Sequence, residues 1–314
     1  MRIFYRLESS IKKITRNSIL AIGIFDGLHL GHQKILKTTV SRARKENLRS
    51  GVMSFYPHPD RALNHQKIKL IQTLEQKLEF FKNYGLDYCL IISLDPKIAS
   101  SSGETFCRFI LRNTLQVQHV VVGRNFRFGH RRHCGVKELR KFGQEYAFKV
   151  STLKPVKKSG HLVSSSLVRR LLEAGRVEEA SRLLGRPYEI RGEVVKGSGV
   201  GQKLGYPTAN MQTDNEILPT GVFVTETVVQ KKVIPSVTDI GFRPTFGAQE
   251  LQVEAHLLDF TGDLHGQKIS LLLLKKLRPE KRFSSVGKLK LQIARDVSLA
   301  REYFRRQGNL SRLS

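Results

Sequence analysis

Through the first half of the chain, short runs of apolar and β-branched residues alternate with stretches of helical composition. Strands are predicted at Ser18–Phe25, Gly51–Phe55, Tyr88–Ser93, Val120–Gly123 and Phe148–Leu153. Helices are predicted between them at Gln33–Lys45, Leu74–Asn83, Glu104–Asn113 and Val136–Phe142. Such alternation builds an α/β domain with a parallel sheet, because parallel strands need crossover connections that cover both faces. Ligands of these sheets sit beyond the carboxyl ends of the strands, where the turn Phe25–His32 falls. Two further helices follow. Ser164–Ala174 is capped by serine and stopped by Gly175, and Val177–Leu184 is broken by Gly185-Arg186-Pro187.

Beyond Gly185 the pattern changes. Tyr188–Lys196, Val222–Val229, Lys232–Ile240, Gln252–Leu258 and Lys268–Lys275 read as strands separated by Gly, Pro, Asn and Asp turns. No helix is expected before Ser285–Arg306, which predicts a small antiparallel β-barrel with a terminal helix. The chain of 314 residues suits two domains. The boundary is expected at 184/185, dividing 1–184 from 185–314.

Composition narrows the class. A hydrophobic content of 40% with interspersed charge belongs to a folded chain. No apolar run approaches the ~20 residues that span a bilayer, and MRIFYRLESSIKK lacks the apolar core of a secretory signal. Cys89, Cys107 and Cys134 are odd in number and far apart, so the expectation is a reducing cytoplasm. The net charge of +27 invites a nucleic-acid reading. It divides as +20 over 1–184 (34 cations, 14 anions) and +7 over 185–314 (20 cations, 13 anions), and is scattered. That distribution favours a basic background with phosphate-holding sites over a nucleic-acid surface or a membrane partner.

Two segments carry chemistry. The first is Gly23-Ile24-Phe25-Asp26-Gly27-Leu28-His29-Leu30-Gly31-His32. Gly27 and Gly31 let backbone pass close to a ligand, and the helix that follows aims its first amides at an anion. His29 and His32, three apart, face one side of a helix start and can stabilise charge that grows on phosphates during transfer. As zinc ligands they lack partners, with Asp26 alone nearby. His130-Arg131-Arg132-His133-Cys134 likewise lacks a second ligand pair and reads as a solvated basic loop.

The second segment is the glycine-rich run from Lys196 through Ser198 to Gly205, with Gly197, Gly199, Gly201, Lys203 and Gly205 disposed to offer backbone N–H groups to phosphate. It ends in Tyr206-Pro207-Thr208-Ala209-Asn210. The Thr208 hydroxyl and Asn210 carbonyl are hard ligands suited to Mg²⁺, which takes few protein groups. Taken by itself, Glu254 reads as an outward-facing strand residue.

The first segment resembles the HxGH nucleotidyltransferase signature in the FDGxHxGH form carried by bacterial bifunctional riboflavin kinase/FAD synthetases. SFYPHP at 54–59, GRNFRFG at 123–129 and VSSSLVR at 163–169 resemble further parts of that pattern, and LGYPTAN at 204–210 resembles the riboflavin kinase signature. LPTGVF (218–223), IGFRPTF (240–246), VEAHLLDF (253–260) and LRPE (277–280) agree with it. The resemblance runs from about residue 16 to 304.

It implies a Rossmann-like adenylyltransferase domain over 1–184 and a riboflavin kinase domain over 185–314. ATP is implied as co-substrate at both, with Mg²⁺, and riboflavin, FMN and FAD as the flavins. At the adenylyl site it implies ATP contacts from Gly23, Phe25, Asp26, Gly27, His29, Gly31 and His32. Ser164, Ser165 and Arg169 add phosphate contacts there, as hydroxyls and a cation at a helix start. Flavin contacts are implied from Pro57, His58, Pro59, Asn125, Phe126 and Phe128. In the kinase it implies ATP contacts along Gly197–Asn210, Pro207 included, and Glu254 as the general base. Four positions depart from the family's habit: Asn125 and Val136 where acids are common, Gln202 where Arg is, and His265 where Tyr is. Loss of one activity, or an RNA-binding role on an enzyme scaffold, are the alternatives; the intact HxGH and PTAN motifs oppose both.

Overall fold

The computed structural model describes residues 1–7, 11–64, 67–94, 96–197, 199–245 and 248–310. Ser198 and Phe246, named in the motifs above, lie outside the described residues. The chain parts into two compact units, Met1–Ser165 and Ser166–Ser314.

The first unit is built on six parallel strands: β1 (Arg2–Phe4), β2 (Ser18–Ile22), β3 (Arg49–Phe55), β4 (Tyr88–Ile92), β5 (His119–Gly123) and β6 (Lys149–Leu153). Their order is β1-β4-β3-β2-β5-β6. Successive side chains point to opposite faces. Leu20, Ile22, Met53, Leu90, Ile92, Val120 and Val122 accordingly enter one core, and Ile19, Ala21, Val52, Cys89, Ile91 and Val121 the other. Each Val, Leu, Ile or Met among them contributes about 1.5–3 kcal/mol on burial. The helices Leu30–Lys45 and Leu74–Asn83 cover the second core through Ile35, Leu36, Val40 and Phe81. Phe106, Cys107, Leu111 and Leu139 cover the first.

All five predicted strands are present, and the edge strand β1 joins them. The helix expected at Glu104–Asn113 begins at Gly103, and from Phe106 to Thr114 it is wound as a π-helix. Leu115 N–H accordingly donates to Ile110 C=O, five residues back, at 2.9 Å. One close contact fixes the middle of the sheet. The Tyr88 ring lies directly on Gly51, where a Cβ would collide with it, and its hydroxyl meets Ser18 Oγ at 2.7 Å. A short antiparallel ribbon, β7 (Lys157–Lys158) with β8 (His161–Leu162), follows β6.

In the second unit the helices Ser165–Glu173 and Val177–Leu184 end at Gly175 and Gly185, both at φ +70° as helix stops require. Val177, Ala180, Leu183 and Leu184 are buried, and the second helix lies against β9 and β14 of the barrel. The barrel closes in the order β10-β13-β12-β11-β14-β9. Its strands are β9 (Tyr188–Val195), β10 (Ala209–Thr213), β11 (Gly221–Val229), β12 (Lys232–Thr245), β13 (Ala248–Leu257) and β14 (Lys268–Arg278), all paired antiparallel. Contrary to expectation, a helical turn, Val200–Lys203, intervenes before the terminal helix, set up by Gly199 at φ +70°. The terminal helix, Val286–Leu310, packs Ala300 against Val222, Val224, Val237 and Leu258. A buried ion pair, Arg278 to Asp296 at 2.9 Å, ties it to β14.

Candidate active sites

The first site forms where β2 runs out. Gly23 N–H still pairs with Met53 C=O at 3.1 Å, then the backbone turns sharply, with Phe25 at φ +54° and Gly27 at φ +78°. Phe25 is fully buried, edge-on to Phe81 at 5.7 Å and to His32 at 5.2 Å. Its ring lies over Gly23, where a Cβ would stand 3.1 Å from it. The Asp26 carboxylate, 2% exposed, accepts the Ile71 N–H at 3.0 Å, and its backbone carbonyl accepts the Ser165 hydroxyl at 2.8 Å. Ile71 also packs against Gly27, where a Cβ would meet it at 2.9 Å.

His29 caps the helix Leu30–Lys45: its Nδ1 accepts the His32 N–H at 3.3 Å. A helix N-cap acceptor satisfies one of the orphan amides of the first turn. The two imidazoles stack, centroids 3.7 Å apart and planes 14° from parallel. Gly31 makes this possible, since a Cβ there would stand 3.1 Å from the His29 ring. With Nδ1 accepting, a neutral His29 carries its proton on Nε2. Burial, reinforced by the neighbouring charges of His29 and Lys77, holds His32 well below the usual histidine range.

The residues expected to contact flavin leave the same edge. β2, β3 and β5 are neighbours in the parallel sheet, and their carboxyl ends lead into the turns carrying Phe25–His32, Pro57–Pro59 and Asn125–Phe128. His58 is buried, its Nδ1 accepting Asp60 N–H at 3.2 Å. Phe126 stacks on Phe128 at 5.5 Å, and Phe128 reaches the core beside Phe106; Asn125 is exposed. His130–Arg132 form an exposed turn, and no group of three His, Cys, Asp or Glu side chains that could hold a metal ion occurs among the described residues. Ser164 and Ser165 are partly buried before the helix Ser165–Glu173, with Arg169 one turn along it.

Three residues absent from the sequence expectation complete the rear of this turn. Besides Ile71, Gln72 Nε2 donates to Phe25 C=O at 3.3 Å, and Lys77 Nζ donates to Ile24 C=O at 3.1 Å. A sequence signal for Lys77 existed: it lies in the apolar helical stripe of Leu74, Leu78 and Phe81.

The second site lies on the barrel, at β10 and β13. Asn210 stands directly opposite Glu254 in that pairing and opposite Val195 of β9. The Thr208 hydroxyl donates to Glu254 Oε2 at 3.4 Å. The expected trio of Thr208, Asn210 and Glu254 is thus brought together. The loop glycines have distinct tasks. Gly197 abuts the Asn210 amide, leaving no room for a Cβ, and a Cβ on Gly201 would strike Tyr206 C=O at 2.5 Å. Gly205 turns at φ +87°. Pro207 C=O accepts His256 Nδ1–H at 2.8 Å, and Tyr206 meets the same imidazole edge-on at 5.5 Å. A hydroxyl, an amide carbonyl and a carboxylate are the hard oxygen set that Mg²⁺ accepts, so these residues fit that ion.

Comparison with known proteins is consistent along the chain. The FAD synthetase family profile matches residues 11–167, and the riboflavin kinase profile matches 184–304. A bifunctional riboflavin kinase/FMN adenylyltransferase of Escherichia coli K12 is 38% identical over 91% of this chain and 92% of its own. Proteins of the same description from Buchnera aphidicola of Schizaphis graminum and from Bacillus subtilis are 35% and 33% identical, each over 94% of this chain and over 96% and 95% of their own lengths. Among solved structures, a Streptococcus pneumoniae chain described as a macrolide-efflux protein superposes with a TM-score of 0.86 at 26% identity, covering 96% of this chain and 99% of its own. No helix among the described residues here is long and apolar enough to cross a membrane.

Proposed function

The chain belongs to the bifunctional riboflavin kinase/FMN adenylyltransferases, and we propose that its two reactions divide between the two sites described above. It phosphorylates riboflavin with ATP to FMN, then adenylylates FMN with ATP to FAD and pyrophosphate. We assign residues 1–184 to the second reaction and 185–314 to the first.

At the adenylyl site, an FMN phosphate oxygen attacks the α-phosphorus of ATP and pyrophosphate leaves in line. Little covalent help is needed; fixed donors aimed at the growing phosphate charge lower the barrier. The stacked His29–His32 pair at the start of a helix supplies such donors, with Gly23, Phe25, Asp26, Gly27 and Gly31 shaping the nucleotide turn. Ser164, Ser165 and Arg169 hold the departing phosphates. The flavin lies toward Pro57, His58, Pro59, Asn125, Phe126 and Phe128. The observation that supports this assignment is the stacking of His29 on His32 at the N-cap of the helix Leu30–Lys45.

At the kinase site, Glu254 takes the proton of the ribityl 5′-hydroxyl as that oxygen attacks the γ-phosphorus of ATP, whose bond to the bridging oxygen breaks and releases ADP. A base must lie within hydrogen-bond reach of the atom it serves. The glycine loop from Gly197 to Gly205, with Lys203 and Pro207, holds the ATP phosphates. Mg²⁺, when bound, neutralises phosphate charge, and Thr208 and Asn210 would hold it, beside Glu254. The opposition of Asn210 and Glu254 supports this reading. The absence of a membrane-spanning helix among the described residues and three free cysteines support a cytoplasmic location.

Chromatography of flavins after incubation with riboflavin, ATP and Mg²⁺ tests the assignment of both activities. FMN followed by FAD is expected; a chain that makes neither overturns it.

A further inference from the structure

Lys77 is a charged side chain in a place that favours an apolar one. It is 6% exposed, in the helical stripe that packs Leu74, Leu78 and Phe81 onto the sheet. Burying an ammonium costs several kcal/mol unless it gains strong partners. Its hydrogen bond goes to a neutral acceptor, the Ile24 carbonyl, at 3.1 Å. Burial pulls its pKa below the lysine range, against the neighbouring charge of Asp26. A methionine would fill the same stripe without that cost, so fold stability alone does not account for a lysine here.

What Lys77 touches is the nucleotide turn. Ile24 precedes Phe25, whose φ of +54° is sparsely populated for a non-glycine residue. The same short stretch is gripped from behind at two further points, Gln72 to Phe25 C=O and Ile71 N–H to the Asp26 carboxylate. These three bonds fix three consecutive residues of the turn that leads into His29 and His32. The charge of Lys77 also adds, after burial and the neighbouring His29, to the lowering of the His32 pKa. A fixed cation behind a phosphate-transfer turn adds positive potential where negative charge develops.

We propose that Lys77 is a positioning residue for adenylyl transfer, its buried ammonium clamping the Ile24 carbonyl so that the turn presents the His29–His32 pair to the nucleotide. The inference rests on the assignment of that turn as the adenylyl site.

The test uses the full-length protein carrying Lys77→Met, with Lys77→Arg as the charge-retaining companion. FMN-to-FAD turnover and riboflavin-to-FMN turnover are measured side by side. In Lys77→Met, kcat for FAD formation is expected to fall at least tenfold, with KM for ATP and FMN within about threefold of the parent and FMN formation unchanged. Lys77→Arg is expected to recover most of the lost kcat. A purely packing role leaves kcat at parental level in the folded variant, whatever the shift in melting temperature. FAD formation within twofold of the parent in Lys77→Met overturns the proposal, and so does an arginine variant no better than the methionine one. If Lys77→Met does not fold, Lys77→Gln takes its place under the same criteria. His29→Ala, run in parallel, separates the two ideas: undiminished FAD formation there removes the site assignment itself, irrespective of Lys77.

Discussion

The imidazole of His29 lies flat on that of His32, with ring centroids 3.7 Å apart, while its Nδ1 accepts the His32 backbone N–H. Cap, stack and tautomer are one arrangement, so His29 is both a structural and a chemical element. Removing it deletes the stacked imidazole proposed to serve the nucleotide and leaves the His32 amide without that acceptor. His29→Ala is therefore expected to lower FMN-to-FAD turnover about 10²–10³-fold, the range for loss of one transition-state donor. The riboflavin-to-FMN rate measured on the same sample should stay at the parental value. Loss of both activities in a folded variant contradicts the division into two sites.

The register of β10 against β13 sets Glu254, the proposed base, opposite Asn210, with Thr208 Oγ1 3.4 Å from its Oε2. Glutamine preserves shape and removes basicity. Glu254→Gln is expected to depress FMN formation about 10²–10⁴-fold, the usual contribution of a general base. Conversion of supplied FMN to FAD should continue at the parental rate. An undiminished kinase rate would transfer the base role to another group.

Much of both candidate sites is legible in the sequence because their residues are local: FDGLHLGH and PTAN each compress a turn and its proposed ligands into a few residues. The alternation of apolar runs likewise announces five of the parallel strands. What escapes has non-local causes. β1 is three residues long, too short to show a period. β10 begins inside the PTAN segment, and its pairing with β9 and β13 is a tertiary property. The π-winding of Phe106–Thr114 leaves no mark in composition. The partner of the Asp26 carboxylate, Ile71, is 45 residues away, so its grip on the turn appears only in the fold.

Tyr88 and Gly51 make a sharp test of packing. The ring occupies the space a Cβ on Gly51 would need, and both sit in the centre of the sheet. Gly51→Ala is expected to destabilise the protein by about 1–3 kcal/mol through overpacking, read as a lower urea midpoint. Adding Tyr88→Leu should cost less than the sum of the two single changes, because the collision then disappears. Strict additivity would show that the ring is not what glycine accommodates.

His119 sets an acid limit on stability. It is 3% exposed at the start of β5, and its Nε2 lies 3.0 Å from Arg42 Nη1 and 2.9 Å from Ser151 Oγ. Burial first, then the charges of Arg42 and Lys149, lowers its pKa from 6.5 to about 4, against the opposing pull of Glu46. Between those values the unfolded chain binds a proton that the folded chain refuses, so stability falls as pH falls. The contribution is complete above about pH 6.5 and is lost on the way to pH 4, on the order of 1–3 kcal/mol. Urea unfolding at pH 7.5 and pH 5.0 is expected to show a larger drop for the parent than for His119→Gln, which has no proton to bind at this position. Equal drops in the two proteins would mean that His119 titrates alike in the folded and unfolded states.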